Sequence, residues 1–210
     1  MDGYWAKPKS GQGPTLLVLP AWWGLNSFFK GLCDRLAGEG FTAFAPDLYQ
    51  GNIASTVEEA KSLRSKLNQK QAYADLLRTV DELYQLGGIS KPIGVLGFSM
   101  GARFALELSA EKTKEIGAVV VFYGASIVNY ASSNAAYLGN FAEKDEWMAA
   151  SGVKKLEKTL KTAGRPVSFY TYPGTGHWFF EADRPDAYSE SSAQLAWERT
   201  IDFLHVNLKN

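Results

Sequence analysis

Gly97-Phe98-Ser99-Met100-Gly101 is the segment of this chain best equipped for chemistry. It follows the apolar run Pro92-Ile93-Gly94-Val95-Leu96 and opens an amphipathic run from Met100 to Ala110. That strand-turn-helix setting is what gives a G-x-S-x-G sequence its meaning. A serine on so tight a turn is held in strained geometry, and its neighbours must be small. Its hydroxyl is lifted off the sheet, beside the N–H groups that open a helix. The bland alternative is a Gly/Ser helix start with Ser99 as an N-cap.

A serine hydroxyl needs a general base, and the chain has two histidines. His205, in Phe203-Leu204-His205-Val206, falls near the end of the last helix, at a surface or packing position. His177 follows the turn-rich segment Tyr172-Pro173-Gly174-Thr175-Gly176, just past a strand, and is the base the sequence offers Ser99. The third group is a carboxylate that holds the imidazole tautomer and stabilises the imidazolium. For this type of hydrolase it lies between serine and histidine in the chain. Glu107, Glu111, Glu115 and Glu157 fall on or beside helices, as solvated faces. Glu143, Asp145 and Glu146 cluster after a strand, at the correct edge. Asp145 is the first choice; Glu143, two residues away, is the reserve.

The elements that must position these groups alternate along the chain. Strands are predicted at Thr15–Leu19, Phe41–Ala45, Pro92–Leu96, Ala118–Phe122 and Val167–Tyr172, with a weaker one at Ala136–Asn140. Helices are predicted at Phe28–Ala37, in two pieces over 56–86, at Met100–Ala110, at Val153–Thr162 and at Ser191–Leu208. This alternation implies an α/β fold, a mostly parallel sheet with helices on both faces. Ligand sites of such sheets lie in the loops at the strands' carboxyl ends. Ser99, Asp145 and His177 all fall in such loops.

Composition removes several competing functions. With 22 basic and 22 acidic residues the net charge is zero, which gives no electrostatic reason to bind nucleic acid or an anionic membrane. No apolar run approaches the roughly 18 residues of a membrane span, and Met1-Asp2-Gly3-Tyr4 does not open like a secretory signal. One cysteine makes no internal disulfide, in keeping with a reducing, cytoplasmic location. One cysteine and two histidines leave no Cys/His metal cluster, though a site of carboxylates alone stays open. No cofactor is expected. At 210 residues the chain is expected to be a single domain over 1–210 with no large lid, as a monomer or small homo-oligomer.

Six landmarks in order point to a family. They are Pro20-Ala21-Trp22-Trp23-Gly24-Leu25-Asn26, Ala45-Pro46-Asp47-Leu48-Tyr49, Gly97-Phe98-Ser99-Met100-Gly101, Phe141-Ala142-Glu143-Lys144-Asp145, Gly176-His177-Trp178-Phe179 and Leu195-Ala196-Trp197-Glu198-Arg199. On these the chain resembles the dienelactone hydrolase family, small α/β-hydrolases, over essentially its whole length. The resemblance implies Asp145 as the triad acid and an oxyanion hole from the backbone N–H groups of Trp22 and Met100. The founding enzymes carry a cysteine at the position of Ser99 and a glutamate at that of Ala21, which helps to ionise the thiol. Their joint replacement is coherent, since a serine relies on its histidine directly. The founders also bind a lactone carboxylate with arginines. Arg184 could match one of these; the other would fall near Gln50 and is missing.

The expected function is hydrolysis of small carboxylic esters or lactones through an acyl-enzyme on Ser99. A thioesterase or acyl transferase would use the same triad, and a non-catalytic binding protein on a hydrolase scaffold is the reading from another class. Trp23, Tyr49, Phe98, Trp178 and Arg184 are expected to bind substrate. About half of the edge-loop aromatics, which also include Trp22, Tyr123 and Phe179, are expected to be core instead. Arg184 stands equally between a substrate carboxylate and a surface ion pair. Cys33 reads as a small buried residue, and the charges from Glu58 to Lys70 as a solvated helical face.

Overall fold

The computed structural model describes residues 1–86 and 91–208. The elements in chain order are β1 (Gly3–Ala6), β2 (Thr15–Leu19), α1 (Ser27–Gly38), β3 (Thr42–Pro46), α2 (Val57–Lys66) and α3 (Gln69–Leu86). They continue with β4 (Ile93–Phe98), α4 (Met100–Glu111), β5 (Ile116–Phe122), β6 (Ala136–Ala142), α5 (Ala150–Thr162), β7 (Val167–Tyr172) and α6 (Glu190–Leu208). The seven strands form one sheet in the order β1-β3-β2-β4-β5-β6-β7. All neighbours pair in parallel except β1 with β3. This is the α/β-hydrolase arrangement the alternation implied, and among the described residues no large lid domain covers its carboxyl edge. The pattern did not predict β1. It is a four-residue edge strand with a mostly exposed face, so it has no apolar run to betray it.

Period-two alternation divides the core into two layers. Leu16, Val18, Ala43, Ala45, Val120 and Leu138 pack against α1 and α6. Their neighbours Leu17, Leu19, Phe44, Val119, Val121 and Tyr137 pack against α3, α4 and α5. Both faces being covered explains why β2, β4 and β6 are buried along their whole length. Each valine or leucine among them contributes about 1.5–3 kcal/mol by leaving water.

Helix starts follow their capping residues. The Asn26 side chain accepts from the Phe29 N–H at the start of α1, and Thr56 with Glu59 forms a capping box on α2. The start of α4 differs. Ser99 there stands at the N-cap position, but its side chain makes no cap bond and is left for other partners.

The topology also fixes where the loops part. From β2 the chain runs to β3 on one side, whereas β4 lies on the other side of β2 and leads away to β5, β6 and β7. The loops after β2 and β4 therefore diverge and leave a crevice at the carboxyl edge. Trp22 follows β2, and Ser99 follows β4.

Candidate active site

Ser99 sits at φ 49°, ψ −107°, between the last residue of β4 and the first of α4. Its N–H donates to the Phe122 carbonyl at 3.0 Å, which ties the turn to β5. The flanking glycines are required by close approach. A Cβ on Gly97 would lie 2.5 Å from the Gly101 carbonyl oxygen, and one on Gly101 would strike the Leu19 carbonyl. The turn is thus pressed against the end of β2, and its strain is held by packing on both sides. Four non-glycine residues have positive φ among the described residues: Gln50, Ser99, Tyr123 and Trp178. Three of these four lie around one cavity, which marks this edge as the strained part of the fold.

His177 and Asp145 come from the loops after β7 and β6. Backbone bonds carry the pairing of these strands past their ends: the Glu143 N–H donates to Tyr172 O at 3.2 Å and the Lys144 N–H to Thr175 O at 2.8 Å. The acid's loop and the histidine's loop are therefore held together. His177 Nε2 lies 3.0 Å from Ser99 Oγ, and Nδ1 lies 2.8 Å from each carboxylate oxygen of Asp145. Asp145 Oδ1 also accepts from the Trp147 and Met148 N–H groups, both at 2.8 Å. The side chains of His177 and Asp145 are 5% and 3% exposed, so this chain is shielded from water. Glu143, the reserve, points elsewhere and accepts from the Gly174 N–H at 2.9 Å. His205 stacks on Phe41 from the last turn of α6.

Ser99 opens into a small cavity of about 190 Å³, walled by Trp22, Met100, Tyr123, Trp147, His177 and Trp178. Arg64 and Arg103 also border it. Met100 opens α4, where no residue four back accepts from its N–H. The Trp22 N–H belongs to the loop on the other side of the crevice. Four tryptophans meet here. Trp22 lies 5.6 Å from Trp23 and 5.1 Å from Trp147, and Trp178 lies 5.2 Å from Trp23.

The expected substrate-binding residues divide three ways. Trp178 lines the serine's cavity. Trp23 and Arg184 line a larger adjoining groove, where the Arg184 guanidinium lies 3.7 Å above the Trp23 ring and donates to Ser55 O at 3.0 Å. Phe98 and Tyr49 need correction. Phe98 is fully buried among Phe29, Phe122 and Phe180, because it ends β4 on the α1/α6 face. Tyr49 is 7% exposed and packs behind the site, its hydroxyl 3.6 Å from Met100 Sδ. Trp147 was missed. Its sole signal in the sequence was an aromatic two residues past Asp145.

Glu181 was missed as well. It is fully buried, four residues past His177, and Oε1 accepts from the Tyr123 hydroxyl at 2.6 Å while Oε2 has no partner. Burial pushes its carboxyl up to about 8, against the Tyr123 hydrogen bond, which favours the charged form. Burial and the adjacent Glu181 push the Tyr123 phenol well above its usual value. The Tyr123 ring lies 4.7 Å from that of His177. Cys33 is buried, which pushes its thiol up to about 12. Among the described residues no group of three His, Cys, Asp or Glu is placed to hold a metal ion, and no helix is long and apolar enough to cross a membrane.

Comparison with known proteins gives the same picture. The sequence profile of the Dienelactone hydrolase family matches residues 1–208. A protein of Aquifex aeolicus, provisionally named a carboxymethylenebutenolidase, is 32% identical over 99% of this chain and 94% of its own length. Protein usf of Aquifex pyrophilus is 34% identical over 96% of this chain and 91% of its own. A crystal structure from Klebsiella pneumoniae, provisionally named a dienelactone hydrolase, superposes with a TM-score of 0.81 at 29% identity. It covers 96% of this chain and 91% of its own.

Proposed function

The chain belongs to the dienelactone hydrolase family, and from that premise we propose that it hydrolyses small carboxylic esters or lactones with Ser99 as nucleophile. The observation that carries this reading is the unbroken hydrogen-bond chain Asp145–His177–Ser99 at the carboxyl edge of the sheet.

Asp145 accepts a hydrogen bond from the Nδ1–H of His177 and so fixes that tautomer, which leaves Nε2 free to accept from the Ser99 hydroxyl. Ser99 Oγ attacks the carbonyl carbon as its proton passes to Nε2. The carbonyl oxygen becomes an oxyanion facing the N–H groups of Trp22 and Met100, each worth about 3–4 kcal/mol in comparable sites. The imidazolium then protonates the leaving alkoxide, or the ring oxygen of a lactone. Water, deprotonated by the same histidine, cleaves the acyl-enzyme and restores Ser99.

Ala21, 1% exposed, offers no carboxylate near Ser99, which supports a serine mechanism over assisted ionisation of the nucleophile. Turnover of para-nitrophenyl acetate tests the proposal. Ser99→Ala is expected to lower kcat by roughly 10⁶-fold, the scale for removing a triad nucleophile. Full activity in that variant sinks the reading.

A further inference from the structure

Two hollows meet at the site and share Trp147, His177 and Trp178. The one that holds Ser99, about 190 Å³, is bordered by Gly124 and Ala125. The other, about 850 Å³, is lined by His177 but not by Ser99, and runs between the start of α2 and the 183–189 loop. Sites for drug-sized ligands span roughly 300–1,000 Å³. The small hollow therefore takes only a few heavy atoms, and the groove takes a ring or more.

The direction of proton transfer orients an ester across them. His177 Nε2 must hand its proton to the leaving oxygen, so the alcohol lies on the histidine's side. The acyl carbon lies on the side of Ser99 and the Met100 N–H. The groove is thus the alcohol site, and the small hollow is the acyl site.

The groove's lining has the chemistry of a surface for hydroxyl groups. Thr56, Glu146, Asp183, Asp186 and Ser189 supply acceptors and donors along it. Tyr188 exposes 38% of its surface and lines the groove, an aromatic ring for the C–H face of a saccharide, while Trp147, 46% exposed, packs against Trp22 and Trp178 at its inner end. An apolar alcohol would strip water from these polar groups without replacing its hydrogen bonds. Charges of both signs line the groove, Lys144 and Arg184 against the carboxylates, and Arg184 is already committed to Ser55 and Trp23. No field of one sign selects an ionic alcohol.

We infer that this chain removes a short acyl group, acetyl to butyryl in size, from a hydroxyl of a neutral polyhydroxylated alcohol such as a sugar. The inference rests on the ester-hydrolase reading above. In the step, the Ser99 Oγ–acyl bond forms and the acyl–sugar oxygen bond breaks. The serine's proton passes through His177 to the sugar oxygen. Water then releases the short carboxylic acid.

The test compares kcat/KM for methyl glucoside acetylated at its primary hydroxyl, hexyl acetate, methyl acetate, methyl decanoate and para-nitrophenyl acetate. The acetylated glucoside is expected to exceed hexyl acetate by about tenfold or more, the scale of one aromatic face with its hydrogen bonds. Methyl decanoate is expected to fall below methyl acetate by a similar factor. Tyr188→Ala should bring the sugar-to-hexyl ratio toward one, through KM rather than kcat. Hexyl acetate cleaved as well as the sugar ester, or decanoate as well as acetate, overturns the inference. If para-nitrophenyl acetate is cleaved in that case, the ester-hydrolase reading survives. No turnover of any ester, para-nitrophenyl acetate included, brings down both.

Discussion

Asp145 and Glu181 are two carboxyls buried on either flank of His177, and they are provided for in opposite ways. Asp145 meets the His177 Nδ1 and two backbone N–H groups. Glu181 accepts one close hydrogen bond, from the Tyr123 hydroxyl, and its other oxygen has no donor within bonding distance, with the Trp23 indole and Arg184 giving its charged form only further, weaker support. The chain surrounds the first with donors because its loop turns back on itself at Trp147 and Met148. It encloses the second in aromatic rings and gives it almost none. Burial alone therefore does not say what an acid does; the donors that replace water decide it. One carboxyl is hydrogen-bonded to a histidine. The other, pushed up to about 8, is a largely neutral hydrogen-bonding group at pH 7.

The largest expected break in this contrast comes from exchanging Asp145 for an amide. Asp145→Asn keeps the shape but presents an amide to Nδ1, which favours the wrong tautomer, and kcat should fall by about 10⁴-fold. Glu143→Gln in the same loop should stay within about twofold, as expected for a side chain that touches neither partner. Initial rates on a chromogenic acetate read both, and equal losses in the two would sink the assignment of Asp145.

Glu181→Gln is expected to act on stability, with a sign set by linkage. The unfolded carboxyl ionises near 4.5 and the folded one near 8, so between these values unfolding releases a proton. Wild-type stability therefore carries a penalty that is absent below about pH 4.5, grows with rising pH and is complete above about pH 8. The glutamine variant lacks it. At about 1.4 kcal/mol per unit of separation, the variant should gain a few kcal/mol on the wild type between pH 4.5 and 8. Urea midpoints at those two ends measure the gap. A gap that does not change with pH contradicts the buried, neutral Glu181.

A smaller effect is expected from Tyr123→Phe. It deletes the Tyr123 hydrogen bond to Glu181 and should cost about 1–3 kcal/mol, the usual penalty for a buried group left unpaired. In the Glu181→Gln background the loss should shrink, which a double-mutant cycle resolves. Strict additivity would show that the two side chains are not coupled.

Much of the architecture was legible because its signals are local. Thr15–Leu19 and Ala118–Phe122 are continuous apolar runs, as strands covered on both faces must be. The spacing of Phe29, Leu32, Cys33 and Leu36 marks the inner stripe of α1. Strand β1 escaped because its four residues have one face in water and take their register from β3. Within the site, Gly97 and Gly101 advertise a turn that admits no side chains. The paucity of histidines left His177 as the base on offer.

The aromatics were harder to place, for a physical reason. Phe98 adjoins Ser99 in sequence, yet the pleat sends it into the core while the turn sends Ser99 out. Trp147 shares a wall with Trp22 and Trp178 across gaps of more than 100 and 30 positions in the chain, respectively. No periodicity records such a meeting. Glu181 lies in Glu181-Ala182-Asp183-Arg184, which reads as a solvated charged loop until Phe180 and Tyr123 are seen around it.

The sequence alone thus determined the strand-helix alternation, the strained serine turn and the chain order of serine, acid and histidine. Each follows from spacing or steric exclusion within a few residues. Only the tertiary structure decided which acid reaches His177, which aromatic rings face the cavity and which carboxyl is kept without donors. Those outcomes depend on loops after β2, β4, β6 and β7 that meet only when the sheet brings its carboxyl edge together. They are set by packing between distant segments, which no local pattern encodes.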